Sequence, residues 1–171
     1  MNTSLMKAYD LERKGLEFYI SSAVTVNSPL ARRALFSLAR EEIEHMIKID
    51  DISLCLTASG KWPPAESALG SSDIEISIKE FFEKTKKDAM GQGNDSADVV
   101  KTAMEFEKKS YELYSDLRDS SIRPSEKEFY AQLMIQENEH YVALENVYYY
   151  LTKTGDWFGK EESGVWSWMN L

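Results

Sequence analysis

Cysteine is almost missing from this 171-residue chain, with Cys55 standing alone. One thiol excludes internal disulfides and any four-cysteine zinc or rubredoxin-type iron site. It fits a reducing cytoplasm, the expected location. Long apolar runs are missing too. Nothing approaches the roughly 18 to 20 residues that span a bilayer. The opening stretch, MNTSLMKAYDLERKG, is charged too early for a signal peptide, so no membrane partner is expected. Positive charge is short, with 20 Lys and Arg against 29 Asp and Glu. The resulting net charge of −9 argues against a nucleic-acid partner and favours cations.

Strand-like alternation is sparse, and helical periodicity fills most of the chain. A first helix is expected over 4–26, broken by NSP, where Ser28 and Pro29 read as an N-cap and a first-turn proline. A second helix of about 30 residues ends near TASG. KWPPAESALGSSD reads as a connection, and ISIKEFFEKTKKDAM as a short amphipathic helix along it. After the break GQGND, Asp95 or Ser96 would cap a third long helix reaching residue 117, and RPSEKE opens a fourth reaching residue 153. Two short links and one long crossover predict an all-α, ferritin-like four-helix bundle over 1–154. Two repeated helical hairpins would be joined by a crossover of about 58–95 that contains the short helix. The irregular tail 155–171 is rich in tryptophan, and VWSWM is expected to bury against its own chain.

Histidine is the scarcest polar side chain, and both copies follow a glutamate by three residues: EIEH at 42–45 and ENEH at 137–140. Shifting the chain by 95 residues explains part of this coincidence. LERKGLEFY (11–19) falls on FEKKSYELY (106–114), and LAREEIEHMIKIDDI (38–52) on LMIQENEHYVALENV (133–147). The shift pairs Glu12 with Glu107, Glu42 with Glu137, His45 with His140 and Tyr19 with Tyr114. Apolar steps of three and four then put each polar member on a buried stripe. Helix two runs Leu35, Leu38, Glu42, His45, Ile49, Ile52, and helix four runs Tyr130, Leu133, Glu137, His140, Leu144, Val147. Helices one and three bring Glu12 and Glu107.

Four carboxylates buried together repel one another, and two imidazolium ions neutralise only half of their charge. Divalent ions neutralise all of it. One Glu from each of two helices and Glu-x-x-His from each of two others is a ligand pattern for a metal pair, because positions three apart are neighbours on a helix. Glu12, Glu42, His45, Glu107, Glu137 and His140 are therefore the candidate metal ligands. Oxygen and imidazole donors suit two iron ions, and manganese or zinc fits the same set. Glu41, Glu44 and Glu139 lie about 100° or more off the stripe and are expected to face solvent, as are Glu17 and Glu112. Tyr19 and Tyr114 are expected as core aromatics whose hydroxyls reach ligand carboxylates. Met46, Met104 and Met134 read as packing residues, and Cys55 as an inert buried thiol.

LERKGLEFY, EIEH, FEKKSYELY and ENEH, taken as a set over residues 5–153, resemble the rubrerythrin branch of the ferritin-like superfamily. The resemblance implies a di-iron centre on those six ligands, with Glu42 and Glu137 bridging and Tyr19 and Tyr114 beside them in the catalytic site. It implies a peroxidase or oxidase of oxidative-stress defence that reduces hydrogen peroxide or dioxygen. Electrons would come from a small electron-transfer protein such as rubredoxin, and the chain would form a homodimer. Two departures stand out. These residues carry no paired Cys-x-x-Cys motif of the rubredoxin kind, so a separate donor is expected. Ser110 (and Gly15 in the first half) stands where rubrerythrins place an extra glutamate one turn after the ligand. Iron storage without catalysis and a metal-stapled scaffold are the alternatives to an enzyme.

Overall fold

The computed structural model describes residues 3–63, 69, 72–84 and 94–154. Among these residues the chain is all-helical: α1 (Thr3–Ala23), α2 (Pro29–Ser59), α3 (Ile74–Lys84), α4 (Asn94–Ser120) and α5 (Pro124–Tyr149), with a π-helical turn at Tyr150–Thr154. The tryptophan-rich tail expected at 155–171 lies outside them. None of these helices is long and apolar enough to cross a membrane.

Local chemistry sets the breaks. Pro29 cannot extend a preceding helix but suits a first turn. The Ser28 side chain caps that turn by accepting from Ala31 N–H. Gly60 ends α2 in the left-handed conformation (φ 68°), which glycine adopts without a Cβ penalty, and its N–H donates to the Leu56 carbonyl. Several expected boundaries shift: α4 runs on to Ser120 past residue 117, and α5 ends at Tyr149 short of residue 153. α1 ends at Ala23, and Val26 is buried beyond it. Asp95 and Ser96 lie inside α4 rather than at its cap; Ser96 Oγ accepts from Ser28 N–H and ties the α1–α2 turn to α4.

α1 packs along α2 and α4 along α5, and α1–α4 and α2–α5 contacts join the pairs. Two apolar clusters fill the ends. One gathers Tyr19, Leu30, Leu35, Leu38, Val100, Leu144 and Val147; the other gathers Leu5, Ile49, Ile52, Tyr114, Leu117, Tyr130 and Leu133. Each long helix runs from one cluster to the other, so α1 and α5 point one way and α2 and α4 the other. The chain between α2 and α4 must therefore return along the bundle. α3 lies on this return path: it buries Ile74 and Ile78 in the first cluster, and Ser77 Oγ accepts from Arg33 at 2.8 Å.

Candidate metal centre

Between the two clusters the sequence leaves no apolar choice. The stripe residue at mid-height is Glu12 on α1, Glu42 on α2, Glu107 on α4 and Glu137 on α5, with His45 and His140 one turn on. All six are at most 1% exposed. They form two overlapping groups that could hold a metal ion: Glu12, Glu42, His45 and Glu137, and Glu42, Glu107, Glu137 and His140. Glu42 and Glu137 belong to both groups.

The imidazoles point inward by Nδ1. His45 Nδ1 lies 3.2 Å from Glu42, 3.5 Å from Glu12 and 3.6 Å from Glu137. His140 Nδ1 lies 3.4 Å from both Glu107 and Glu137. The rings lie 5.8 Å apart, 20° from parallel. Their outer nitrogens are held. His45 Nε2–H donates to Gln136 Oε1 at 2.6 Å, and His140 Nε2–H to Glu41 Oε2 at 3.0 Å. A ring that donates from Nε2 leaves the Nδ1 lone pair free for an ion. The tyrosines cross over: Tyr19 donates to Glu107 at 2.5 Å, and Tyr114 to Glu12. Each therefore holds the carboxylate of the other half of the repeat.

Electrostatics reflects the crowding. Burial pushes the Glu42 and Glu137 carboxyls well above their ordinary range, and the charges of Glu12 and Glu107 push them further. Burial acts the same way on Glu12, but the charge of His45, the close approach of Glu42 and the hydrogen bond from Tyr114 outweigh it and hold Glu12 at about 2. Glu107 is lowered likewise against burial, through Glu137, His140 and Tyr19. Burial disfavours imidazolium, yet Glu12 and Glu137 raise His45 to about 9, and Glu107, Glu137 and Glu41 raise His140. Burial and the neighbouring carboxylates push both tyrosine hydroxyls up, so they remain donors.

The inward atoms have the chemistry to hold metal. Glu12 Oε2, Glu107 Oε2, both carboxylate oxygens of Glu42 and of Glu137, and Nδ1 of His45 and of His140 are buried without a hydrogen-bond partner. Such orphans are costly unless an ion takes them. They are hard oxygens and imidazole nitrogens, the donor set of iron, manganese or zinc.

Several expectations change. Glu41 does not face solvent: it is 3% exposed and held against His140, and burial notwithstanding, His140, Ser72 and Asp73 hold its carboxyl at about 2. Glu139 is half-buried and accepts from Ser72 N–H at 3.0 Å. Glu17, Glu44 and Glu112 are exposed as expected. Met134 is buried, and Met46 and Met104 are half-buried. Cys55 is half-buried rather than buried, 3.7 Å from the Lys61 carbonyl. Gln136, which holds His45, was missed; its signal was present, because the 95-residue shift sets it on Glu41.

Gly15 and Ser110 leave the rest of the belt without side-chain carboxyls. A Cβ at Gly15 would lie 3.0 Å from Phe106 Cε1 and 3.1 Å from Glu42 Oε1, so glycine gives Glu42 its room. Ser110 Oγ turns away to the Phe106 carbonyl. A cavity of about 80 Å³ bordered by Arg40, Glu44, Asp73, Glu41, His45 and Gln136 reaches the outer side of the cluster. No family model, no curated protein and no solved structure matches the chain.

Proposed function

We propose that this chain is a di-iron carboxylate oxidoreductase of rubrerythrin type, built on a ferritin-like pair of repeated hairpins. It would reduce hydrogen peroxide or dioxygen with electrons from a separate donor protein. The observation that carries this reading is the set of orphaned inward atoms on Glu12, Glu42, His45, Glu107, Glu137 and His140. A pair of iron ions held there would supply one electron each to peroxide, which with two protons gives two waters. Glu42 and Glu137, shared by both groups, would fix the spacing of the pair. Glu12 with His45, and Glu107 with His140, would complete the two ends. Tyr114 and Tyr19 hold Glu12 and Glu107 in place, and their raised hydroxyls keep protons beside the reacting centre. The two apolar clusters exclude water above and below. Exposed Phe36, Ile43, Ile47 and Leu54 form one stripe on α2, which supports packing of a second copy as a homodimer.

The test is to load the protein anaerobically with ferrous iron and add peroxide in a stopped-flow instrument. Oxidation of two ferrous ions per peroxide, with repeated turnover when a reductant is present, is the expected result. Full burial of all six ligands also favours a metal-stapled scaffold. Tightly bound iron that ignores peroxide and dioxygen, with melting that collapses on chelation, would select that reading instead.

A further inference from the structure

The 95-residue repeat is broken in charge at one pair of residues that hold the imidazoles. Glu41 and Gln136 occupy equivalent places in the 95-residue repeat, each one position before a candidate bridging glutamate. Each reaches across to the imidazole of the opposite half: Glu41 takes the Nε2–H of His140, and Gln136 takes that of His45. The partners have nearly the same shape and differ in charge. A carboxylate acceptor draws the ring proton toward itself, enriches the inward nitrogen and adds a negative charge behind the ion. An amide acceptor orients the ring and adds no charge.

Other features near the two ends do not cancel the difference. Glu12 and Glu107 are both fully buried and each is held by one tyrosine. The bridging pair serves both ends. Arg40 lies 3.5 Å from Glu41 Oε1, but it is half exposed and shared with Asp73, so it offsets Glu41 only in part.

We infer that Glu41 and Gln136 are positioning residues that make the two metal positions unequal, with the ion at His140 bound more tightly and filled first. This inference rests on the proposed metal centre. Outer-shell partners of this kind typically change metal affinity by about 10- to 100-fold.

Having only two histidines makes the order of filling directly readable. The experiment titrates zinc into the full chain labelled with ¹⁵N-histidine and follows each assigned imidazole by NMR. Zinc is redox-inert, so no turnover enters the readout. The expected result is that His140 Nδ1 shifts within the first equivalent and His45 Nδ1 within the second. Glu41→Gln should weaken the first step by about 10-fold or more. The near-isosteric exchange Glu41→Gln with Gln136→Glu should reverse the order. Simultaneous filling of both positions in the natural chain, or His45 first, overturns the inference while leaving a metal pair in place. An unchanged order in the exchanged variant also overturns it. Imidazoles that never shift would remove the metal centre itself, and this inference with it. If the exchanged variant does not fold, the natural chain and Glu41→Gln still decide.

Discussion

The middle of the bundle and its two ends are held by opposite physics. At the ends, leucine, isoleucine, valine and tyrosine lose water and gain contact, and no other partner is required. In the middle, four carboxyls and two imidazoles are stripped of water and satisfy one another only partly. Folding therefore spends the stability of the ends on a costly belt, and an ion pair is what would offset that cost. Mutations that treat the two regions alike should give opposite results.

The sharpest break is Glu42→Gln with Glu137→Gln. Metal affinity should fall on the order of 100-fold or more, whereas the melting temperature of the metal-free protein should hold, because a neutral amide resembles the protonated carboxyl that burial favours at both positions. Calorimetric titration and thermal melts read the two effects. Leu38→Ala in one apolar cluster or Leu133→Ala in the other should do the reverse. Each should cost about 2–5 kcal/mol in denaturant unfolding while leaving metal stoichiometry intact.

The pH response should separate the belt from the ends further. His45 is raised from 6.5 to about 9, so its contribution to metal-free stability is full below 6.5 and is lost as pH rises through about 9. The raised Glu42 and Glu137 act in the same direction. Glu12, lowered from 4.5 to about 2, contributes above 4.5 and loses that contribution as pH falls toward 2. The metal-free protein should thus be most stable near pH 4.5 and weaken as pH rises from there, more steeply above 6.5 where His45 adds its own loss. Metal must displace the proton of His45, so loading should release protons and tighten with rising pH. Titration in buffers of different ionisation heat measures that release; none at pH 7 would contradict the electrostatics. The smallest effects belong to the hydroxyls and the outer acids. Tyr19→Phe and Tyr114→Phe should each cost about 1 kcal/mol in unfolding experiments, and Glu17→Gln or Glu112→Gln less than about 0.5 kcal/mol.

Much of the belt was legible in the sequence because helical periodicity converts spacing directly into a face. Glu12, Glu42, His45, Glu107, Glu137 and His140 interrupt apolar stripes at one height, and all six meet at the centre. Glu41 shows where that argument stops. A residue 100° off the stripe faces solvent only if nothing covers that side of the helix, and here the opposite imidazole and the crossover at Ser72 and Asp73 do. Helix periodicity describes one helix at a time and carries no record of its neighbours. The tyrosine pairing was half legible for the same reason. Contact with a belt carboxylate follows from Tyr19 and Tyr114 sharing the stripes of Glu12 and Glu107, but the crossing of each to the other half depends on how α1 and α4 meet. Gly15 was visible as a departure from the rubrerythrin pattern that the sequence resembles, but its role as room for Glu42 required the packing of Phe106.

Bound iron per chain is the most direct measurement. Anaerobic protein equilibrated with ferrous iron and passed through a desalting column should retain two ions per chain, and the Glu42→Gln with Glu137→Gln variant none. Iron absent from the natural chain, or retained equally by that variant, would contradict the metal-pair reading of the central belt.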